Sequence, residues 1–588
     1  MPLTPRQRYN SRWSGLQQAR SPWDASWQEI GDYLSPWRTR FNESERNQRR
    51  AANDKILDPT GTYALRTCGA GMSSGFCSAT RDWSRYAPPA ALLARYPGLA
   101  QKPEIKRYIA ECEAVDRDIL LRSNFYGVTS GYAFRDLPAF GIFGMFAEEH
   151  WRTVATFKPM PLGQYWLAAD ANGEVDEIYR RYTLTVAQMV KEFGLAACSS
   201  RVQDQYRRNQ LDVEHTIMHV VEPNRADQET GFEGMRSGRF DWRGMDFRSV
   251  TYEQSFAHEE AGGFLRVSGY RDFPAITPRW ARTSPEDVYG TGAGHEVLPD
   301  VKQLQTATRR KLQLIEKSAI PPLKGNSEIS GMPSQHPGAF TRVPGSGDAS
   351  GRLEPIFLPN PSAITEVRAD IGELRWAIQQ GLFADLWRLM TDDERNQRAT
   401  AEEIRAKKEE RLNLLGPVSS NVEQEYLRRV LDRVFALAER RGLHPDPPEE
   451  LAGQELKVEF ISIFGEAQKA QEIPAVERVA NFINSLAQID GEVLDTMDCD
   501  KFAQKYAEIA GLPPDLLRSP EAIAAIRQAR AEKEQAKAMG EAIATGSGAV
   551  KDLAGAGLES ESALSRIIGT LGPVAANQAL AGQQGALA

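Results

Sequence analysis

The stretch that decides the fold begins with VKQLQTATRRKLQLIEK at residues 301–317 and continues with SAITEVRADIGELRWAIQQGLFADLWRLM at residues 362–390. At about 100° per residue, the apolar side chains of the first segment share one face of a helix. The basic side chains gather on another side: Lys302, Arg309, Arg310 and Lys317. The first segment is therefore predicted to be a helix with one packing face and one basic face.

The second segment repeats apolar residues every three or four positions, as a packed helix does. An acidic stripe formed by Glu366, Asp370 and Glu373 runs beside this apolar seam. Opposite charges on the polar faces of the two helices favour pairing, either within one chain or between neighbouring copies.

The two predicted helices flank residues 319–361, which are rich in proline and glycine. A structureless segment of more than about 15 residues is uncommon in a compact domain unless it is functional or disordered. Strand-like runs at residues 339–343 and 355–358 predict a small separate tip between the helices.

A charged segment, TDDERNQR at residues 391–398, follows the second helix and has no apolar residue to bury. Thr400 and Glu403 then have the spacing of a capping box, which predicts a new helix to Leu415. Gly416-Pro417 should break this helix, which resumes over residues 421–441 and stops at Gly442. The charged segment is therefore predicted to be a loop between helices.

The order of several short motifs resembles the head-to-tail connecting (portal) proteins of short-tailed bacteriophages. The motifs are Tyr289-Gly290-Thr291-Gly292, Leu298-Pro299-Asp300, Ile320-Pro321-Pro322, Arg398-Ala399-Thr400-Ala401-Glu402-Glu403 and Leu415-Gly416-Pro417. The resemblance covers about residues 5–535. It implies an α+β portal fold assembled as a ring.

The resemblance also divides the chain into named parts. It implies a wing of helices and antiparallel hairpins (residues 1–295), a first stem helix (296–318), a small clip (319–361), a second stem helix (362–390), a tunnel loop (391–399), a long kinked helix of the wing (400–445), a helical crown (446–520) and a C-terminal barrel or flexible tail (521–588). The tunnel loop would face DNA through Thr391, Asp392, Asp393, Glu394, Arg395, Asn396, Gln397 and Arg398.

The partners that the resemblance implies are those of a DNA channel. They are further copies of the chain in a dodecameric ring, double-stranded DNA, the terminase large subunit, the major capsid and scaffolding proteins, and tail adaptor proteins. The chain would lie at one vertex of the virion after assembly in the host cytoplasm. It would be no enzyme and need no cofactor, because the terminase hydrolyses ATP.

Composition limits the other classes of function. A net charge of -8 argues against a protein that binds nucleic acid over its whole surface, because such binding requires Lys and Arg against phosphates. The five cysteines form no C-x-x-C pair, which favours a reduced setting. The start of the sequence lacks the apolar core of a signal peptide, and no run of about 18 apolar residues predicts a membrane span.

The remaining segments predict a mixture of helices and hairpins. Helix starts occur at Thr4-Pro5 and at Ser21-Pro22, with an end at Pro36. Alternating patterns between about residues 165 and 273 predict antiparallel strands. A strand is also expected at residues 456–464, and helices at 466–488, 501–510 and 520–540.

Several patterns could carry chemistry. His215 and His219 have the spacing of a zinc site, but they lie in an alternating strand and are interpreted as a hydrogen-bonded strand pair. Asp170-Ala171-Asn172-Gly173 is interpreted as a hairpin turn and not as a calcium loop. The glycine-rich residues 290–294 are followed by His295-Glu296 and Pro299 and do not form the turn between a strand and a long helix. We interpret them as a hinge into the stem and not as a nucleotide loop.

Two other functions compete with a channel. The carboxylates of Asp392, Asp393 and Glu394 could hold a metal ion in a DNA-processing enzyme such as a nuclease. The chain could also be an internal virion or scaffold protein without a channel. Observation of a closed ring would distinguish the channel hypothesis from both alternatives, because neither alternative requires a ring.

Overall fold

The chain forms two compact units, residues 1–467 and 468–588. The computed structural model describes residues 4–36, 38, 55–96, 98–99, 102–224, 242–254, 263–321, 323–324, 354–355, 361–391, 416–454 and 456–461 of the first unit. In the second unit it describes residues 478–480, 482–483, 502, 506, 523 and 525–537, and residues 525–537 are helical.

The first unit combines helices with antiparallel sheets. Its helices are α1 (Pro5–Tyr33), α2 (Thr60–Phe76), α3 (Ala90–Arg95), α4 (Pro103–Arg122), α5 (Phe125–Val128), α6 (Phe134–Phe140), α7 (Val186–Phe193), α8 (Ser200–Arg207), α9 (Ala293–Ala319), α10 (Pro361–Gly381), α11 (Ala384–Thr391) and α12 (Arg429–Arg440). A helical segment at 416–421 and a π-helical segment, Val422–Arg428, lead directly into α12.

The strands are short and follow the order expected for hairpins. They are β1 (Ser84–Ala87), β2 (Gly144–His150), β3 (Val154–Met160), β4 (Tyr165–Ala169), β5 (Val175–Thr185), β6 (Glu214–Pro223), β7 (Phe247–Glu253), β8 (Arg266–Tyr270), β9 (Ala275–Ile276), β10 (Leu323–Lys324), β11 (Glu354–Pro355) and β12 (Lys457–Phe460). The larger sheet has the antiparallel order β4-β5-β6-β7-β8, and a smaller one has the order β3-β2-β9. The predicted α+β class is confirmed.

The helix α1 covers one face of the larger sheet. Tyr9 and Leu16 of α1 pack with Trp166, Tyr179 and other buried side chains of the strands. Local sequence fixes the start of α1, because Thr4 and Gln7 form a reciprocal capping box and Pro5 occupies the first turn.

The predicted division of α1 into two helices is wrong, because Pro22 lies inside one continuous helix. Buried residues occur on both sides of Pro22, including Leu16, Trp27 and Ile30. Proline inside a helix costs about 3 kcal/mol or more, and the burial of large side chains along the whole helix offsets that cost.

A single large apolar core joins α2, α6, the inner ends of α9 and α10, and α12. The small residues of α2 allow close packing against its neighbours. A Cβ atom at Gly69 would lie 2.6 Å from the carbonyl oxygen of Phe134, and one at Gly71 would overlap the ring of Trp387. Both glycines are therefore packing residues.

The first stem helix begins within the glycine-rich residues 290–294, three residues before its predicted start at residue 296. The helix α9 begins at Ala293 and contains Pro299 in its interior. Gly292 lies against the end of α6, where an added Cβ atom would be 2.6 Å from the backbone nitrogen of Gly141. These glycines permit close backbone packing at the base of α9.

The sequence predicted one continuous helix over residues 362–390, but the structure has two helices there. The helix α10 ends at Gly381, and α11 begins at Ala384 after Phe383, which has a φ of 56°. A Cβ atom at Gly381 would overlap the Val297 side chain of α9. After this turn, Leu386 and Trp387 of α11 are buried in the same core as α9.

The predicted crown, residues 446–520, includes residues of both units. The strand β12 pairs antiparallel with β1, with Phe460 opposite Ser84, so this part of the chain belongs to the first unit. The predicted end of the preceding helix is confirmed, because α12 ends at Arg440 and Gly442 has a φ of 62°.

Candidate subunit and DNA interface

The helices α9 and α10 form an antiparallel pair. Gly381, at the end of α10, lies against Val297 near the start of α9. The inner half of α9 is buried through Val301, Leu304 and Thr308, whereas its outer half is exposed. The pair therefore leaves the core at its outer end, and we call the two helices together the stem.

Asp58 joins the inner halves of both stem helices. Its backbone N–H donates to Oε1 of Gln305 at 2.8 Å, and its carbonyl oxygen accepts from Nε2 of Gln305 at 2.9 Å. Its carboxylate accepts from Nε and Nη2 of Arg375 at 3.0 and 2.8 Å. Burial alone would raise the pKa of Asp58, but hydrogen bonds from Thr60 and Arg375 outweigh burial and lower it.

Sequence reasoning missed this connection. Asp58 precedes Pro59 and the start of α2, which indicates at most a helix start. Neither the charge of Arg375 nor the amide of Gln305 has a local pattern that reveals a shared partner. The connection holds the stem helices in fixed register where they leave the core.

The stem exposes apolar side chains on the outer half of α9 and beside Arg375 on α10. Leu312 is 51% exposed, Ile315 40% and Ile320 50% on and after α9, and Trp376 of α10 is 59% exposed. Large apolar side chains clustered on a projecting element are typical of a surface that another molecule covers.

The predicted basic residues divide into two groups. Lys302 forms an ion pair with Glu29 of α1 at 2.8 Å and lies near the ring of Tyr33. Arg309, Arg310 and Lys317 are exposed, and they make no ion pair with the part of the chain that the structure describes. Lys302 is thus a contact within the chain, whereas the other three are available to a partner.

The predicted acidic residues Glu366, Asp370 and Glu373 are all exposed on α10. None of them forms an ion pair within the described ranges. The basic and acidic faces of the stem therefore do not neutralise each other within the described parts of one chain. Of the two pairings that the sequence favours, the one between stem helices of neighbouring copies stays a prediction.

The predicted tunnel loop starts at the end of α11. Thr391 is the last residue of that helix, and Asp392, Asp393, Glu394, Arg395, Asn396, Gln397 and Arg398 lie outside the described residues. Leu386 and Trp387 on one side of the loop, and Val418 and Val422 on the other, belong to the same apolar core. Both ends of residues 392–415 are therefore anchored in one core.

The two strand histidines have hydrogen-bond partners within the chain. Nδ1 of His215 is 3.0 Å from Oε1 of Glu253, and its Nε2 is 2.6 Å from Oε1 of Gln205. Nε2 of His219 is 2.9 Å from Oγ of Ser249. The interpretation as hydrogen-bonded strand residues is confirmed.

The residues Asp170–Gly173 form the predicted hairpin turn between β4 and β5. One carboxylate oxygen of Asp170 accepts from the backbone N–H groups of Asn172 and Glu174 at 2.9 and 2.8 Å. Among the described residues, no group of three or more His, Cys, Asp or Glu side chains could hold a metal ion. No helix within those ranges is long and apolar enough to cross a membrane.

Comparison with known proteins identifies relatives along nearly the whole chain. The family model described as "Bacteriophage head to tail connecting protein" matches residues 6–517. A "Probable portal protein" of Bordetella phage BPP-1 is 34% identical over 538 residues, which cover 91% of this chain and 92% of the relative. A "Portal protein" of Salmonella phage epsilon15 is 31% identical over 551 residues, 93% of this chain and 95% of the relative.

Proposed function

The chain belongs to the bacteriophage head to tail connecting protein family, and on that premise we propose that it forms a closed ring whose axial channel passes double-stranded DNA. The family match over residues 6–517 carries this proposal. Portal proteins work as ring oligomers in the connection between the head and tail of the virion. We propose a dodecamer, which assembles in the host cytoplasm.

The stem supports an interface between neighbouring subunits. The stem exposes Leu312 and Ile315 on α9 and Trp376 on α10. It also exposes basic side chains on α9 and acidic side chains on α10. In a ring, the same two faces of every chain meet head to tail, so one acidic face can contact one basic face at each junction. Apolar contact would supply affinity, and charge would supply orientation.

The tunnel loop at residues 391–398 supports a DNA-facing role through its composition. The loop carries three acidic residues (Asp392, Asp393 and Glu394) and two basic ones (Arg395 and Arg398), so a ring of these loops has a nearly balanced charge. A channel must not bind tightly what it conducts, and the net charge of -8 on each chain agrees with that requirement.

The clip at residues 319–361 is proposed as the docking end for the terminase large subunit during packaging and for tail adaptor proteins afterwards. Its prolines and glycines suit an adaptable surface between two stiff helices. The wing would contact the major capsid and scaffolding proteins. The chain would act without a cofactor, and ATP hydrolysis would belong to the terminase.

Charge reversal tests the proposed junction between subunits. Replacing Glu366, Asp370 and Glu373 with Lys should weaken ring assembly at low salt, because two basic faces would then meet. Replacing Arg309 and Arg310 with Glu should also weaken assembly, and the combined variant should recover part of it. The measurement is the fraction of protein in rings after gel filtration.

The matched control reverses three exposed carboxylates of the wing, Glu104, Asp212 and Glu286. The control should assemble as the unmodified chain does. Rings that form equally well in all variants would refute charge pairing at the stem, and a loss shared by the control would show an effect of net charge alone.

A further inference from the structure

A cavity of about 470 Å³ lies in the first unit, between the end of β8, the strand β2 and the helix α12. Four arginines line it: Arg271, Arg433, Arg440 and Arg441. The carboxylates beside them are Glu149, which lines the cavity, and Asp272, which pairs with two of the arginines. The cavity therefore has an excess of positive charge in a chain whose net charge is negative.

Arg433 is the buried member of this group, with 5% exposure. Its Nε donates to the carbonyl oxygen of Ala147 at 3.2 Å, and its Nη1 donates to Oδ2 of Asp272 at 3.1 Å. Its Nη2 has no hydrogen-bond partner among the residues that the structure describes. One donor of a buried guanidinium at the cavity wall is therefore available.

The carboxylate of Asp272 also accepts a hydrogen bond from Arg440, whose Nη2 lies 3.1 Å from Oδ2. The pKa of Arg433 is lowered, chiefly by burial and secondly by the charge of Arg440. Arg433 nevertheless stays protonated, because arginine is not deprotonated in proteins. Arg271 is exposed and forms no ion pair within the described ranges. Asp272 thus pairs with two guanidinium groups, those of Arg433 and Arg440.

Arg441 has a different role, because its donors are used within the chain. Its Nη2 donates to Oε1 of Glu149 at 2.8 Å and to the carbonyl oxygen of His150 at 2.8 Å, and its Nη1 donates to the carbonyl oxygen of Trp151 at 3.2 Å. Arg441 therefore fastens the end of α12 to β2. The donors left for a ligand belong to Arg271, Arg433 and Arg440.

We propose that this cavity binds a small molecule with a terminal phosphate group. Guanidinium groups match the oxygens of phosphate, and hydrogen bonds between charged groups are the strongest of their kind. The volume lies within the range of about 300 to 1,000 Å³ that is typical of small-molecule sites. Leu437 and Met245 supply an apolar wall for the body of such a ligand.

A phosphodiester within duplex DNA fits the cavity less well. Its neighbouring nucleotides hold it on the surface of a stiff rod, so it cannot enter a cavity and reach a buried guanidinium such as that of Arg433. A terminal phosphate has no neighbour on one side and can enter. The terminal phosphate could be inorganic phosphate or the phosphate of a nucleotide.

Isothermal titration of the full-length protein tests the site, with inorganic phosphate and adenosine monophosphate as separate ligands. Saturable binding is expected, and it should be at least tenfold weaker when Arg271 and Arg440 are both replaced with Gln. Tighter binding of the nucleotide than of phosphate would identify a nucleotide as the source. Equal binding would identify inorganic phosphate.

The control replaces Lys191 and Arg208 with Gln, which removes the same charge from exposed positions elsewhere in the wing. It should bind both ligands as the unmodified protein does. The single variant Arg271→Gln removes no described contact, so it tests binding even if the double variant fails to fold.

Three results would overturn the proposal. They are no saturable binding at millimolar ligand, an equal loss of binding in the control, and equal competition by adenosine or by an acidic peptide without phosphate. Competition by duplex DNA without terminal phosphates, with the same dependence on Arg271, would assign the cavity to the DNA backbone.

Discussion

His219 of β6 lies 7% exposed, with its ring 5.2 Å from that of Phe146. Burial, followed by the charges of Arg180, Arg266 and Lys158, lowers the pKa of His219 to about 3. The unfolded chain binds a proton at the ordinary pKa of about 6.5. Between about pH 6.5 and pH 3, protonation therefore favours the unfolded state.

We expect stability to fall as the pH falls through this window, by at most about 1.4 kcal/mol per pH unit from this residue. The variant His219→Gln can keep a hydrogen bond to Ser249 and should show a smaller loss of stability between pH 7 and pH 5. The measurement is the midpoint of urea unfolding at fixed protein concentration. His150→Gln, a half-buried position on β2, is the control. Equal pH dependence in all three proteins would contradict the assignment.

Residue-level prediction from sequence succeeded where partners are close in the chain. The capping box of Thr4 with Gln7, at the predicted helix start, spans three residues, so the pattern itself predicts the contact. Asp58 contacts Gln305 and Arg375, which are 247 and 317 positions away. No local pattern encodes such a contact, because folding creates it.

At the scale of elements, the stem helices were predictable from their apolar periodicity and the interruption of the second helix was not. Leu382 and Leu386 continue the spacing of Ile371 and Ile378, so the sequence reads as one helix. The chain turns at Phe383, which has a φ of 56°, just after Gly381 lies against Val297 of α9. A close approach between two helices has no signature in either helix alone.

The exposed Trp376 provides a test of the stem as an interface. We expect Trp376→Ser to leave the fold of one chain almost unchanged, because the side chain is 59% exposed. It should weaken each junction by about 2 kcal/mol, or roughly thirtyfold, if a neighbouring subunit buries the indole. The measurement is the fraction of rings on dilution.

Trp151→Ser is the matched control, because Trp151 is 71% exposed on the turn after β2. This variant should assemble normally. If Trp376→Ser assembled as well as Trp151→Ser at every concentration, the stem surface around Trp376 would not be a subunit interface.

The tunnel loop gives a second test at this scale. Replacing residues 392–398 with a Gly/Ser linker of equal length should leave ring formation intact, because the apolar anchors Leu386 and Val418 lie outside it. Packaging or retention of DNA should be impaired. A photoreactive residue at Asn396 should crosslink to DNA in filled particles, with one at Trp151 of the wing as the control. A crosslink from Trp151 without one from Asn396 would place the loop away from the channel.

At the scale of the whole molecule, composition and motif order predicted the α+β class and the family. They did not predict the extent of the first unit, because the pairing of β12 with β1 joins residues about 370 positions apart in a chain of 588. Strand pairing over that distance depends on the folded core. The crown at residues 446–520 stays a prediction, and its first residues fold with the first unit.

The central claim is that copies of this chain close into a ring around a channel. Negative-stain microscopy of the purified full-length protein, with its mass measured in the same solution, tests this claim most directly. We expect closed rings with an axial hole and a mass about twelve times the 65.4 kDa of one chain. A mass of 65.4 kDa at every protein concentration, with no ring in the images, would contradict the account.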